Sequence, residues 1–185
     1  MKTLEACYEI NFSKINFMER KIKITHPKTI ITGAAKTGKS FLIYDYLSQF
    51  KTTEYLYIDI KDSRNNILEI EEFLDSFLRQ KQIKTLVLEN FSFEFDLPYC
   101  ENIIITTNIE KKLKGYKNTI VTGLDFEEYL LHDHRHQNIT QSFNVFLKYG
   151  NLPGVLHVDE YKKIQRLQEI LKLQWKVFLR QLLSK

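Results

Sequence analysis

Apolar and polar positions divide this chain near Gly123 into a strand-rich part and a helix-rich part. Five short runs read as strands: Lys28–Thr32, Tyr55–Ile60, Thr85–Asn90, Ile103–Asn108 and Asn118–Thr122. Most are rich in β-branched or aromatic residues and run into polar groups. The segments between them carry helical spacing. Leu42 and Tyr46 are four apart within Phe41–Phe50, and Ile70, Phe73, Leu74, Phe77 and Leu78 recur every three or four residues, so both segments predict amphipathic crossover helices. Strands alternating with helices predict an α/β fold on a parallel sheet. Leu4–Phe17 has weak periodicity and reads as a lead-in, and His26-Pro27 breaks the alternation of Arg20–Thr25. The segment Phe91–Pro98 reads either as a packed loop or as an edge strand that Pro98 ends, covering the sheet or facing a partner. A short helical piece is expected near Ile109–Lys114, ahead of a turn at Gly115.

Beyond Gly123 the pattern is helical. Asp125 stands where a cap is needed for a helix through Phe126, Tyr129 and Leu130. Asn138–Tyr149 predicts a second helix, Gly150-Asn151-Leu152-Pro153-Gly154 breaks it, and Asp159–Leu183 predicts a long final one. In that last segment Ile164, Leu167, Leu171, Trp175, Phe178 and Leu182 form a seam like that of a bundle or coiled coil. The expected domains are therefore an α/β core with its lead-in at 1–123, and a helical part ending in a long basic amphipathic helix at 124–185. So long a seam must be covered by the rest of the chain or by another, which makes a protein partner or self-association through the C-terminal helix the expectation.

Composition sharpens this only in places. The 185 residues suffice for one substantial core with a small appendage. Cys7 and Cys100 lack the spacing of a metal knuckle or disulfide scaffold and read as buried thiols of a cytoplasmic protein, and no run is long enough for a membrane span. The net charge of +4 is concentrated after residue 158, where Lys162, Lys163, Arg166, Lys172, Lys176, Arg180 and Lys185 outnumber Asp159, Glu160 and Glu169. That tail is either a solvated helix face or a surface for nucleic acid or an acidic partner.

The most informative stretch is Gly33-Ala34-Ala35-Lys36-Thr37-Gly38-Lys39-Ser40, followed by Phe41. It lies between the first strand and the first crossover helix. There it reads as a phosphate-cradling loop: glycines allow close backbone approach, amides surround phosphates, Lys39 reaches their outer oxygens and the Ser40 hydroxyl joins a magnesium shell. Hydrolysis would need more, namely a carboxylate on the magnesium side, a group that aligns or deprotonates water, and positive charge. Glu89 ends its strand as the candidate carboxylate and magnesium ligand, and Asn90 follows it with an amide that can position water but not accept its proton. Thr106, Thr107 and Asn108 are either sensors of phosphate or water, or local caps. Asp59 and Asp62 read as water or magnesium orienters or as turn residues. Arg64 and Arg135 are candidate cations at the phosphate. Tyr8, Phe12 and Phe17 either pack in the core or cover a base. His132 and His136 are four apart, a possible zinc pair without evident further ligands.

These residues in this order resemble the prokaryotic AAA-type ATPases of the archaeal, STAND-related branch, over roughly residues 20–160. The resemblance rests first on GAAKTGKS at 33–40. LVLEN is similar to the family's acidic strand end, with Glu89 in place of aspartate and Asn90 in place of glutamate. The run Ile103–Asn108 looks like its sensor strand, GLDFEEYL at 123–130 is similar to its proline-leucine-serine-phenylalanine-x-glutamate signature, and GNLPGVL at 150–156 is similar to its lid signature. The resemblance implies five parallel strands in the order 5-1-4-3-2, a C-terminal helical subdomain, and ATP with Mg2+ as cofactors. Members commonly continue into a winged helix and a nuclease-like region, and the expectation is that 185 residues do not hold both. The family's arginine before the fifth strand is replaced by Gly115-Tyr116-Lys117, leaving Lys117 as a substitute. The expectation is an ATP-binding switch with weak or absent hydrolysis. Its alternatives are a magnesium-dependent ATPase acting with DNA or a protein partner, and a nucleic-acid or protein adaptor that retains the loop.

Overall fold

The β-rich runs form a single five-stranded sheet in this computed structural model, which describes residues 2–8, 10–109, 111–135 and 138–183, with the side chains of 177, 178 and 180–183 left aside. Strands β1 (Lys28–Thr32), β2 (Tyr55–Asp59), β3 (Thr85–Glu89), β4 (Asn102–Thr106) and β5 (Lys117–Ile120) lie in the order β2-β3-β4-β1-β5. Every pairing is parallel. This is an α/β architecture, and the strand order is 5-1-4-3-2 counted from the other edge. In the register of β2 with β3, Asp59 stands beside Glu89, so two carboxylates share one end of the sheet.

The chain forms two compact units: Met1–Phe17, Lys23–Thr32 and Ser40–Ile120 make the first, and Met18–Ile22, Gly33–Lys39 and Val121–Lys185 make the second. In the first, Leu56 and Ile58 of β2, Leu86 and Leu88 of β3, and Ile103 and Ile105 of β4 meet one face of helix α3 (Ile67–Lys81) through Ile70, Leu74, Phe77 and Leu78. Each such side chain stabilises the fold by about 1.5–3 kcal/mol relative to exposure. Helix α3 starts where Asn66 Oδ1 accepts from Glu69 N at 3.3 Å and stops where Gln82 turns left-handed at φ 54°. The lead-in belongs to this core. It forms helix α1 (Lys2–Tyr8), which buries Leu4 and Cys7, while Phe12 stacks on Tyr44 at 4.5 Å and meets Tyr57 edge-on at 4.9 Å. Cys100 is likewise buried as a free thiol.

One local expectation changes, and one open alternative is decided. No helix forms among residues 109 and 111–114. Thr107 Oγ1 accepts from Ile109 N at 3.1 Å and Leu113 O from Tyr116 N at 3.1 Å, so local turns take the bonds a helix would use. Lysines at 111, 112 and 114 also leave that segment no continuous apolar stripe. Residues 91–98 form a packed loop rather than an edge strand. Phe93 adopts φ 66°, and Phe91 and Phe95 turn into the core with ring centroids 4.8 Å apart.

The second unit carries helices α4 (Phe126–His132), α5 (Ile139–Tyr149), α6 (Pro153–Leu156) and α7 (Glu160–Leu183). Phe126, Tyr129 and Phe146 pack together between α4 and α5, with Phe143 edge-on to Phe126. On α7 the inward face is Lys163, Leu167 and Ile170. The Lys163 ammonium is buried and donates to Val155 O at 3.1 Å and Leu156 O at 3.0 Å, supplying donors to carbonyls at the end of α6. One lysine of the basic tail is therefore structural. Of the expected seam, Leu167 is half-buried while Ile164, Leu171 and Trp175 are exposed. Phe178, Leu182, Arg180 and Lys185 lie outside the described side chains. Among the described residues no helix is long and apolar enough to cross a membrane.

Candidate functional site

The loop 33–39 belongs to the second unit and is bent by backbone states few residues tolerate. Gly33 sits at φ 150°, and a β-carbon there would lie 2.2 Å from Val121 O, inside any allowed contact. Lys36 is left-handed at φ 64°. Thr37 Oγ1 donates to Ala34 O at 2.9 Å and closes the turn. The Lys39 ammonium donates to Gly33 O at 2.7 Å and Ala34 O at 2.8 Å, so a cation is held against the mouth of its own loop. Helix α2 (Lys39–Leu47) begins at that lysine. Gly154 comes so close to Lys36 that a β-carbon on it would lie 3.4 Å from Lys36 Cβ, which places the GNLPG segment against the loop. Ala35 lies within the same turn, and Phe41 follows on α2, where it meets Tyr44 edge-on.

In the first unit, Ser40 Oγ donates to Glu89 Oε1, and Tyr57 Oη donates to Glu89 Oε2. Both carboxylate oxygens are thus occupied, at a residue the fold buries. Burial pushes the Tyr57 phenol far up and the Glu89 charge adds to it, so Tyr57 stays a donor. Asn90 turns left-handed at φ 59° directly after β3. Its amide N–H donates to Thr106 Oγ1 at 2.9 Å, and its side-chain Nδ2 donates to Asp59 Oδ1 at 2.8 Å. The structure therefore gathers Ser40, Glu89, Asn90, Asp59 and Thr106, and adds Tyr57. Thr107 is buried and accepts from Ile109 N at 3.1 Å, while Asn108 is exposed past the end of β4. A hydroxyl beside a carboxylate is an all-oxygen donor set of the kind hard divalent ions take, so Ser40 and Glu89 fit magnesium.

Arg20 is the residue that sequence reasoning missed. It belongs to the second unit with only 6% exposure, and its partner Glu128 has 5%. Arg20 Nε donates to Glu128 Oε1 at 3.0 Å and Nη2 to Oε2 at 3.3 Å. Nη1 reaches Thr37 O at 2.8 Å, and Nη2 reaches Thr122 O at 3.2 Å and Gly123 O at 3.1 Å. Glu128 is also the third helical residue of a capping box: its N–H donates to Asp125 Oδ1 at 2.8 Å, and Asp125 N donates to Glu128 Oε2 at 3.1 Å. The expected cap at Asp125 is in place. Burial pushes the Glu128 carboxyl up, but the bonds from Arg20, Lys21 N and Asp125 N together hold it below its ordinary value. The signal for Arg20 in the sequence was faint, because it sits among Glu19 and Lys21 like any surface charge.

The remaining candidates are engaged elsewhere. Arg64 pairs with Asp62 and holds that carboxyl down at about 2. Arg135 donates to Val158 O at 3.0 Å and to His157 O. Lys117 Nζ meets Thr25 Oγ1 at 3.1 Å. Tyr8 and Phe12 pack in the core, and Phe17 is half-buried. A ring nitrogen of His132 lies 3.0 Å from Glu19 O, and His136 lies outside the described residues.

No known family profile matches the chain. An uncharacterized protein of Methanocaldococcus jannaschii, MJ1519, is 26% identical to it over 171 residues, in a match covering 80% of this chain and 14% of that relative. The chain thus spans only that small part of the relative's length.

Proposed function

We propose that this chain is an AAA-like P-loop protein that binds ATP with magnesium at residues 33–40 and works as a nucleotide switch with weak or absent hydrolysis. The observation that carries the reading is the hydrogen bond from Ser40 to Glu89, the hydroxyl of the loop's final position on the carboxylate that ends β3. In phosphoryl-transfer sites a hydroxyl and an acidic strand end of this kind hold the metal and its waters. Bound magnesium would supply charge neutralisation at the phosphates. Lys39, now on the Gly33 and Ala34 carbonyls, would turn to phosphate oxygens instead. Asn90 supports slow turnover, because its amide can orient a water but cannot take its proton.

The test compares protease protection and sedimentation without nucleotide, with ADP and with a nonhydrolysable ATP analogue. Binding that is lost in Lys39→Ala and a distinct state with the ATP analogue are expected. Identical behaviour of all three states despite measured binding would refute the switch, and equal nucleotide binding by wild type and Lys39→Ala would refute the site.

A further inference from the structure

We propose that Arg20 is the positioning residue that fixes the shape of the phosphate loop and ties it to helix α4, so that loop occupancy and lid packing are read through one guanidinium. The proposal deepens the nucleotide reading and rests on it for its second half. Its first half, control of loop shape by Arg20, stands on geometry within the second unit alone.

A buried cation is tolerated only when fully paired. Arg20 meets that demand with acceptors from three separate stretches: Thr37 in the loop, the carbonyls of Thr122 and Gly123, and Glu128 on α4. A guanidinium is planar and presents its donors in a fixed fork, so the acceptors must keep their mutual geometry. The bond to Thr37 O sets the following peptide plane. Because that peptide is trans, holding the carbonyl toward Arg20 turns the Gly38 N–H to the opposite side. The loop amide is thereby aimed before any ligand arrives, which is preorganisation for phosphate. At the other end of the fork, Glu128 is committed both to Arg20 and to the cap of α4. A shift of Thr37 on phosphate binding therefore pulls on the same fork that anchors α4. Affinity coupling of this kind is reciprocal, so weakening Glu128 also weakens the loop's hold on nucleotide.

The experiment uses the full chain as wild type, Arg20→Lys, and the charge-neutral pair Arg20→Gln with Glu128→Gln, which keeps the fold testable if the single change does not. Hydrogen exchange is followed at residues 34–39 and in α4, first without ligand and then with magnesium and a nonhydrolysable ATP analogue. A fluorescent ATP analogue gives the dissociation constant. Without ligand, loop exchange is expected to rise about tenfold in both variants, the effect of losing a charge-assisted hydrogen bond, while α5 and α7 stay at wild-type rates. With the analogue, binding is expected to weaken about tenfold, and the protection transmitted to α4 in wild type is expected to vanish. Loop exchange equal to wild type in both variants overturns the proposal. So does a uniform rise through α4, α5 and α7, which marks a merely structural role. If wild type binds no nucleotide, the nucleotide reading and the coupling fall together, and the ligand-free arm still decides whether Arg20 shapes the loop.

Discussion

The side-chain amide of Asn90 donates to Asp59 Oδ1 at 2.8 Å, joining residues at adjacent ends of β3 and β2. A neutral donor thus bridges to Asp59, which stands beside Glu89 in the register of the two strands.

Replacing that amide by a carboxylate, Asn90→Asp, is expected to lower stability at pH 7 by about 1–3 kcal/mol, because the donor becomes a like charge. Folding raises the proton affinity of such a crowded pair. The penalty is present above the folded-state value and disappears as pH falls below the ordinary carboxylate range. Urea denaturation at pH 7 and pH 4 measures it, and equal losses at both would show that charge is not the cause.

Tyr57→Phe removes one of the two hydroxyl donors on Glu89 while leaving the ring to pack on Phe12. A stability loss of about 1 kcal/mol is expected, since Ser40 still serves the other oxygen. With the phenol gone from Oε2, a metal competes there with one donor fewer, so the magnesium dependence of nucleotide binding should strengthen in the variant. Titration of magnesium at fixed ATP analogue checks this, and an unchanged midpoint would place Tyr57 outside the metal's reach.

The sheet was legible because its signal is local: runs such as Thr85–Glu89 and Asn102–Thr106 carry it in their own composition, and the loop 33–40 carries its own spacing. Tyr57 and Arg20 were not legible in the same way. Tyr57 looks like one more aromatic in a buried strand, and only the parallel register brings its hydroxyl to Glu89. Arg20 lies 108 residues from Glu128, and no periodicity links a pair that only tertiary folding joins. At residues 109 and 111–114 the expected helix gave way to turns built by Thr107 and Leu113, and lysines at 111, 112 and 114 left no apolar stripe to bury it.

Two glycines separate conformational strain from steric exclusion. Gly115 has φ 82°, and among the described residues nothing lies within 4 Å of the place a β-carbon would take. Gly115→Ala should therefore cost only about 1 kcal/mol, the penalty of a left-handed alanine. Gly33→Ala adds a β-carbon 2.2 Å from Val121 O, where backbone itself must move. A loss of several-fold that size, of the order of 3 kcal/mol or more, is expected together with loss of ATP-analogue binding. Thermal melts of the two variants side by side decide it, and equal losses would mean that the carbonyl of Val121 yields easily.

Acid should loosen the second unit through Glu128. Burial raises its proton affinity, but the bonds from Arg20, Lys21 and Asp125 outweigh burial and depress the folded-state value below the ordinary 4.5. A depressed carboxyl contributes stability that is fully present above pH 4.5 and is lost as pH falls through the folded-state value. Protonating Glu128 also leaves Arg20 as a buried cation without its anion, so the loss should be steep. Hydrogen exchange in α4 is expected to accelerate below pH 4.5 in wild type, after correction for the intrinsic pH dependence of exchange. In the Arg20→Gln, Glu128→Gln pair that acceleration should shrink to the part contributed by Asp125, the cap of α4, whose carboxyl is also held below its ordinary value by the Glu128 N–H and by Lys21. An acid transition of the same midpoint and slope in the neutral pair would assign the pH dependence to other carboxylates.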